Sequence, residues 1–244
     1  MLQDWDEIGR AYEFVRSLGL PTHQSVEKNW DLAHLHEILE PLDRRISLLD
    51  MGSGGTDTLR FLSKMGLDTL SGIELDIPRR DRIGQALAMW RQRQCRVPYH
   101  LHKGDLTQTK FGDESFDAIT CISVIEHGVD GEAFLREARR LLRPGGLLFM
   151  TTDYWESKIE VASDHRIFGL PWNISSRSEI ASFLSMAATY DLLPMKDSSI
   201  PACKDRCVRW DSRHYTFFLA VLQRRPSKSL VPFAPGMPVR AQGI

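Results

Sequence analysis

The chain predicts an α/β fold, a seven-stranded, mostly parallel sheet with helices on both faces, and three observations carry that prediction. Apolar runs of β type alternate with runs of helical period from residue 46 to residue 222, the pattern of parallel strands joined by crossover helices. Residues 48–57 read Leu-Leu-Asp-Met-Gly-Ser-Gly-Gly-Thr-Asp, an apolar strand running into a glycine-rich turn, and residues 59–62 begin a helix at once. With 244 residues, 42% hydrophobic and 26% charged, the chain can fill one core of that size with short additions.

The elements follow in order. Two helices are expected over residues 5–18 and 30–39, with Gly19, Leu20 and Pro21 turning the chain between them, so that residues 1–45 form a helical lid. The first strand ends at Asp50, and glycines at 52 and 54 let the backbone turn sharply and approach a ligand. Residues 69–75 read as the second strand, 83–90 as a helix, 99–102 as a short third strand and 116–124 as the fourth. Phe134, Leu135, Ala138, Leu141 and Leu142 recur at helical spacing behind a candidate N-cap, Asp130. Pro144, Gly145 and Gly146 are expected to end that helix and turn the chain into a fifth strand over 147–152. Ser176 and Glu179 have capping-box spacing ahead of the apolar face Ile180, Phe183, Leu184 and Ala187. Residues 192–195 supply a weaker sixth strand, and 215–222 the last. The α/β domain thus covers 46–225 with an insert near 154–177, and the proline-bearing stretch 226–244 reads as a flexible tail.

A formal net charge of −1 gives no electrostatic footprint for nucleic acid or an anionic membrane and favours a small-molecule partner. No apolar stretch approaches a membrane span, and residues 1–10 are acidic rather than leader-like, so a cytoplasmic protein is expected. Four cysteines, Cys95, Cys121, Cys203 and Cys207, are too scattered for a disulfide framework. Cys203 and Cys207 are four apart, but no second pair completes a tetrahedral set, and no metal is expected.

The glycine turn separates two kinds of cofactor. A dinucleotide fingerprint seats a pyrophosphate on the helix N-terminus, yet its third glycine position here is Asp57, whose carboxylate would repel phosphate. The sequence Asp50-x-Gly52-x-Gly54 instead resembles the first motif of the class I S-adenosylmethionine-dependent methyltransferases, of the methyltransferase type 11 kind, whose cofactor carries no phosphate. The resemblance departs at Thr56, where the family usually has a third glycine, with Gly55 one place early. It implies a Rossmann-like sheet, S-adenosyl-L-methionine at the strands' carboxyl ends, Asp50 positioning the loop, and Met51, Gly52, Ser53 and Gly54 lining the pocket.

The same resemblance implies further cofactor contacts. Glu74, closing Gly-Ile-Glu, is the acid implied to grip the ribose beside Leu75, since one carboxylate can accept from both hydroxyls; Asp76 is the competing candidate. Asp105 in Gly-Asp-Leu is similar to the family's adenine-contacting acid, with the Leu106 amide on the ring. A turn aspartate is the alternative. Residues 122–127, Ile-Ser-Val-Ile-Glu-His, resemble the family's fourth-strand exit, which puts Ile122 against the cofactor and His127 beside the transferred methyl. Residues 5–12 resemble an N-terminal helix that closes over the cofactor, with Tyr12 facing the sulfonium.

The reaction implied is methyl transfer to a small-molecule acceptor, most simply O-methylation of a hydroxyl, with a sugar or surface-glycan precursor among the candidates. The cofactor arrives activated, so alignment and water exclusion are the protein's main work, and a base is needed only for a hydroxyl. His127, Asp153 and His165 are the catalytic candidates, His127 having the alternative of bonding a neighbouring backbone group and holding the loop. Trp172 and Asn173 either meet the acceptor or anchor their loop. Arg79, Arg80, Arg82, Arg91, Arg93 and Arg96 bind phosphate or form a solvated helix face. Two rivals stand beside this reading: a catalytically silent, S-adenosylmethionine-binding scaffold, kept alive by Thr56, and an RNA methyltransferase, for which Glu126-His127 stands where an asparagine-proline-proline type motif is expected.

Overall fold

The protein is described by a computed structural model over residues 1–54, 56–75, 98–195 and 199–226. Outside the described residues lie the expected helix over 83–90, Asp76, Cys95, the six arginines between 79 and 96, and the tail beyond 226.

The strands are β1 (Ser47–Met51), β2 (Thr69–Glu74), β3 (Tyr99–Lys103), β4 (Phe116–Ile122), β5 (Leu142–Tyr154), β6 (Arg166–Ile167), β7 (Leu170–Pro171), β8 (Leu192–Pro194), β9 (Val208–Trp210) and β10 (Arg213–Arg224). The main sheet runs β3-β2-β1-β4-β5-β10-β8. Its first five strands are parallel, and β10 lies antiparallel to both β5 and β8. These are the seven expected strands. An eighth, β9, pairs with the start of β10, and β6 and β7 form a separate hairpin in the insert.

Helices α1 (Trp5–Ser17), α2 (Asn29–Leu39), α3 (Asp57–Met65), α4 (Gly131–Leu141) and α5 (Arg177–Thr189) are capped where the sequence has the chemistry for it. Asp4 accepts from the Glu7 amide, and Asp130 accepts from the amides of Glu132 and Ala133. Ser176 and Glu179 form the reciprocal capping box. One expectation needs correcting. Strand β5 begins at Leu142, ahead of Pro144-Gly145-Gly146, because those residues form an irregularity in the β4–β5 register rather than a free turn. The N-terminal region packs into the same core: Val15, Leu35 and Leu39 are buried, the Trp30 ring sits 6.4 Å from Phe217, and Leu2 is hydrogen-bonded to β10 on both sides of its peptide.

Two close contacts fix the turn after β1. Gly52 has φ +83°, and a Cβ there would stand 2.4 Å from a Val124 methyl. Gly72, in the middle of β2, leaves bare backbone where Ser53 and Leu59 press down; a Cβ would stand 2.4 Å from Ser53 Oγ and 2.7 Å from Leu59 Cδ1. Thr56 holds φ 62°, a conformation that costs a β-branched residue roughly 1–2 kcal/mol and that glycine would adopt freely. Replacing Gly72 by Ala is expected to lower unfolding free energy by about 1–3 kcal/mol through overpacking. A urea titration reads this directly, and an unchanged midpoint would mean that the loop does not depend on that approach.

Candidate functional site

The glycine loop hangs from β2 by its own backbone. The amides of Gly52 and Ser53 both donate to the Ile73 carbonyl, at 2.9 and 3.2 Å, and the Thr56 amide donates to the Ser53 carbonyl at 2.6 Å. Ser53 Oγ donates to the Asp50 carbonyl at 2.8 Å. The Gly54 amide donates to Glu74 Oε2 at 2.7 Å, while Glu74 Oε1 accepts from the Leu75 amide at 2.8 Å. A phosphate-binding loop needs its amides free to point at the anion. Here the Gly52, Ser53, Gly54 and Thr56 donors are engaged, so the loop suits a cofactor without phosphate. Gly54 leaves room above it, the nearest atom to a Cβ there being Glu74 Oε2 at 3.8 Å.

Asp50 lies beneath the loop, 2% exposed, and accepts from Thr120 Oγ1 at 2.7 Å across the β1–β4 pair. Burial pushes its carboxyl up to about 6, against the hydrogen bonds from Thr120 and Ser53.

Above the loop opens a cavity of about 350 Å³ at the carboxyl ends of β1, β4 and β5. Gly52, Ser53, Gly54 and Ile122 line one side; His127 and Asp153 line it further along. The roof comes from residues 23–32, held to α3 by a His23–Asp57 pair at 3.7 Å. The far wall comes from the β6–β7 insert and the β9–β10 hairpin, with Trp172, Tyr215 and Phe217.

Asp153 is 5% exposed and accepts from Trp172 Nε1 at 2.8 Å, with the Tyr215 hydroxyl as a second partner. Burial raises its carboxyl above the usual range. Glu126, 2% exposed, accepts from Thr152 Oγ1 at 3.2 Å and is raised further, first by burial and then by the Asp153 charge. Burial lowers the His127 imidazole, which keeps it neutral and able to accept a proton; its Nδ1 lies 3.4 Å from the Pro171 carbonyl oxygen.

The remaining sequence candidates lie elsewhere. Met51 is buried behind the loop, and neither Asp50 nor Met51 is among the residues lining the cavity. Asp105 accepts from the Thr107 amide and hydroxyl at 2.8 and 2.7 Å, an aspartate turn, and Glu74, Leu75, Asp105 and Leu106 lie off the cavity lining. Tyr12, on α1, and His165, paired with Asp211 at 2.9 Å, also stand outside it. Asn173 anchors the insert, its amide donating to the Glu126 carbonyl and its side chain accepting from Lys158. The sequence reading missed Lys28 and Asp31 in the roof, which resemble an ordinary helical i,i+3 surface pair. It also missed the wall built by β9, whose Asp211-Ser212 turn, with φ of 43° and 61°, carries a weaker hairpin signal than Asn-Gly.

The methyltransferase domain family model matches residues 49–150, the span from β1 through β5 that builds the loop and the β4 exit. Residues 49–150 are thus similar to a methyltransferase domain. The chain is 33% identical over 107 residues to a ubiquinone biosynthesis O-methyltransferase from Methylobacterium nodulans, a match covering 44% of this chain and 41% of that enzyme. The chain therefore spans less than half the length of that relative. Among solved structures it is similar in fold to geranyl diphosphate C-methyltransferase from Streptomyces coelicolor A3(2), crystallised with S-adenosyl-L-homocysteine, at TM-score 0.62 and 18% identity over 89% of this chain and 86% of that one. It is equally similar to the [4+2]-cyclase SpnF, at TM-score 0.61 and 18% identity over 90% and 96%. Among the described residues, no group of three or more His, Cys, Asp or Glu could hold a metal ion, and no helix is long and apolar enough to cross a membrane.

The buried carboxyl beneath the loop gives a pH signature. Asp50 has a folded pKa of about 6, above its ordinary value of 3.8, so the folded state holds the proton more tightly than the unfolded state. Its contribution to stability is full below the lower value and is lost as pH rises through the higher one. Asp50→Asn does not titrate, so its stability relative to wild type should rise by up to about 3 kcal/mol between about pH 4 and about pH 7. Denaturant titrations across that range test the sign, and a flat or falling difference contradicts the assignment.

Proposed function

We propose that the protein transfers a methyl group from S-adenosyl-L-methionine to a hydroxyl of a small, ring-shaped acceptor, a sugar or an aromatic ring. The observation that carries this reading is the single cavity joining the Gly52–Gly54 side to His127 and Asp153. Bound S-adenosylmethionine supplies an activated methyl on a sulfonium. In this reading the glycine loop and Ile122 hold the cofactor, Glu74 turns its carboxylate from the Gly54 amide to the ribose, and Asp105 with Leu106 meets the adenine.

Trp172, Tyr215 and Phe217 offer flat faces for a ring. Neutral His127 takes the hydroxyl proton as the acceptor oxygen attacks, while Asp153, held by Trp172 and Tyr215, orients the hydroxyl. The name of the Methylobacterium relative, an O-methyltransferase, supports oxygen as the acceptor atom. The cavity's acids, Asp31, Glu126 and Asp153, argue against an RNA backbone as acceptor. The fold alone does not entail methyl transfer, as the likeness to a [4+2]-cyclase illustrates, so the catalytically silent reading is tested separately.

Incubation with methyl-labelled S-adenosylmethionine and a panel of hydroxylated rings, read by mass spectrometry, tests the reaction. Labelled product is expected with wild type, and His127→Ala should lower turnover about 10²–10⁴-fold while S-adenosylhomocysteine still binds. Binding of the cofactor with no labelled product from any acceptor would favour the silent scaffold.

A further inference from the structure

The cavity holds more buried acids than methyl transfer requires. Asp31, Glu126 and Asp153 are 0, 2 and 5% exposed and all reach the same space. They come from three elements, α2, the turn after β4 and the end of β5, so the fold brings them together. The Asp31 side chain is wholly buried and faces the cavity, with the Thr151 hydroxyl and the Lys28 ammonium as its polar neighbours. A buried carboxylate is costly unless a cation meets it.

One cation is already there. The Lys28 ammonium lies 3.8 Å from Asp31 Oδ2 and 3.8 Å from the centroid of the Phe217 ring, and it donates to Ser123 Oγ. This is an acid facing an aromatic surface with an ammonium between them, the arrangement proteins use to bind organic cations. Lys28 brings one positive charge to three acids that burial holds toward their neutral form and that a ligand cation would draw into ionising, and burial holds His127 toward its neutral form too. The other charged lining groups, Glu27, Asp57 and Arg209, are more exposed and better screened. Tyr215, Trp172 and Phe217 complete an aromatic wall on the acid side.

We propose that the acceptor carries a protonated amine besides the methylated hydroxyl, and that Asp31, Glu126 and the aromatic wall are the specificity-determining contacts for that amine. This rests on the methyltransferase reading above. A neutral or anionic analogue of the same shape would leave the carboxylates unpaired and is rejected for that reason.

The test uses three phenols that share a ring and hydroxyl and differ in side-chain charge: tyramine, tyrosol and 4-hydroxyphenylacetate. Each is titrated calorimetrically into the protein saturated with S-adenosylhomocysteine, so that no sulfonium supplies the charge. Tyramine should bind at least about tenfold more tightly than tyrosol, with 4-hydroxyphenylacetate weakest. Asp31→Asn and Glu126→Gln should each bring the tyramine-to-tyrosol ratio toward one while S-adenosylhomocysteine affinity holds. Equal affinities, a preference for the anion, or no tyramine binding at millimolar concentration would overturn the proposal. Failure of S-adenosylhomocysteine itself to bind would instead count against the methyltransferase reading.

Discussion

The site depends on one close approach, the bare backbone of β2 at Gly72 beneath Ser53 and Leu59. With no side chain at that position, the turn after β1 settles onto β2 and spends two of its amides on the Ile73 carbonyl. Three properties follow from this. The loop is positioned by hydrogen bonds rather than by a ligand, it offers no nest of free amides to a phosphate, and it leaves Glu74 at the strand end with its carboxylate on the loop. The chemistry of the cofactor is therefore written into how the loop is held.

A second feature is the buried polarity at the other end of the cavity. Burying carboxylates disfavours their charged form, and Asp31 and Asp50 are both raised to about 6, with Glu126 and Asp153 moved the same way. Asp50, Glu126 and Asp153 have neutral hydrogen-bond donors, Thr120, Thr152 and Trp172 respectively, which offset part of that cost. Asp31 has the Lys28 ammonium 3.8 Å away and the Thr151 hydroxyl beside it. Such groups weaken a fold unless ligand binding uses them, and all but Asp50 open onto the cavity.

Much of this architecture was legible in the sequence, and the reasons are local. Helix starts at Asp130 and Ser176 show because capping is a matter of a few adjacent residues, and β1, β4 and β10 show because their apolar runs are long and bounded. Gly52, Ser53, Gly54, Ile122, His127 and Asp153 all line one cavity. Hidden from that reading were features that exist only in three dimensions. Lys28 and Asp31 are a plain i,i+3 pair until α2 packs against β10 and carries them inward. Tyr12 had the right chemistry for a lid, but residues 23–32 make the roof, because α1 packs its buried face, Ile8, Ala11 and Val15, into the core. His165 follows the insert to Asp211 on the β9–β10 turn rather than to the cavity.

The central claim is that a nucleoside lies along the strand ends, with its sulfur between the glycine loop and the β4 exit. A crystal structure of the protein with S-adenosylhomocysteine tests it most directly. The account predicts density beside Gly52–Gly54 and Ile122, with the ribose hydroxyls on Glu74 and the sulfur facing His127. Density for the ligand in any other crevice, or a ribose that does not touch Glu74, would contradict it.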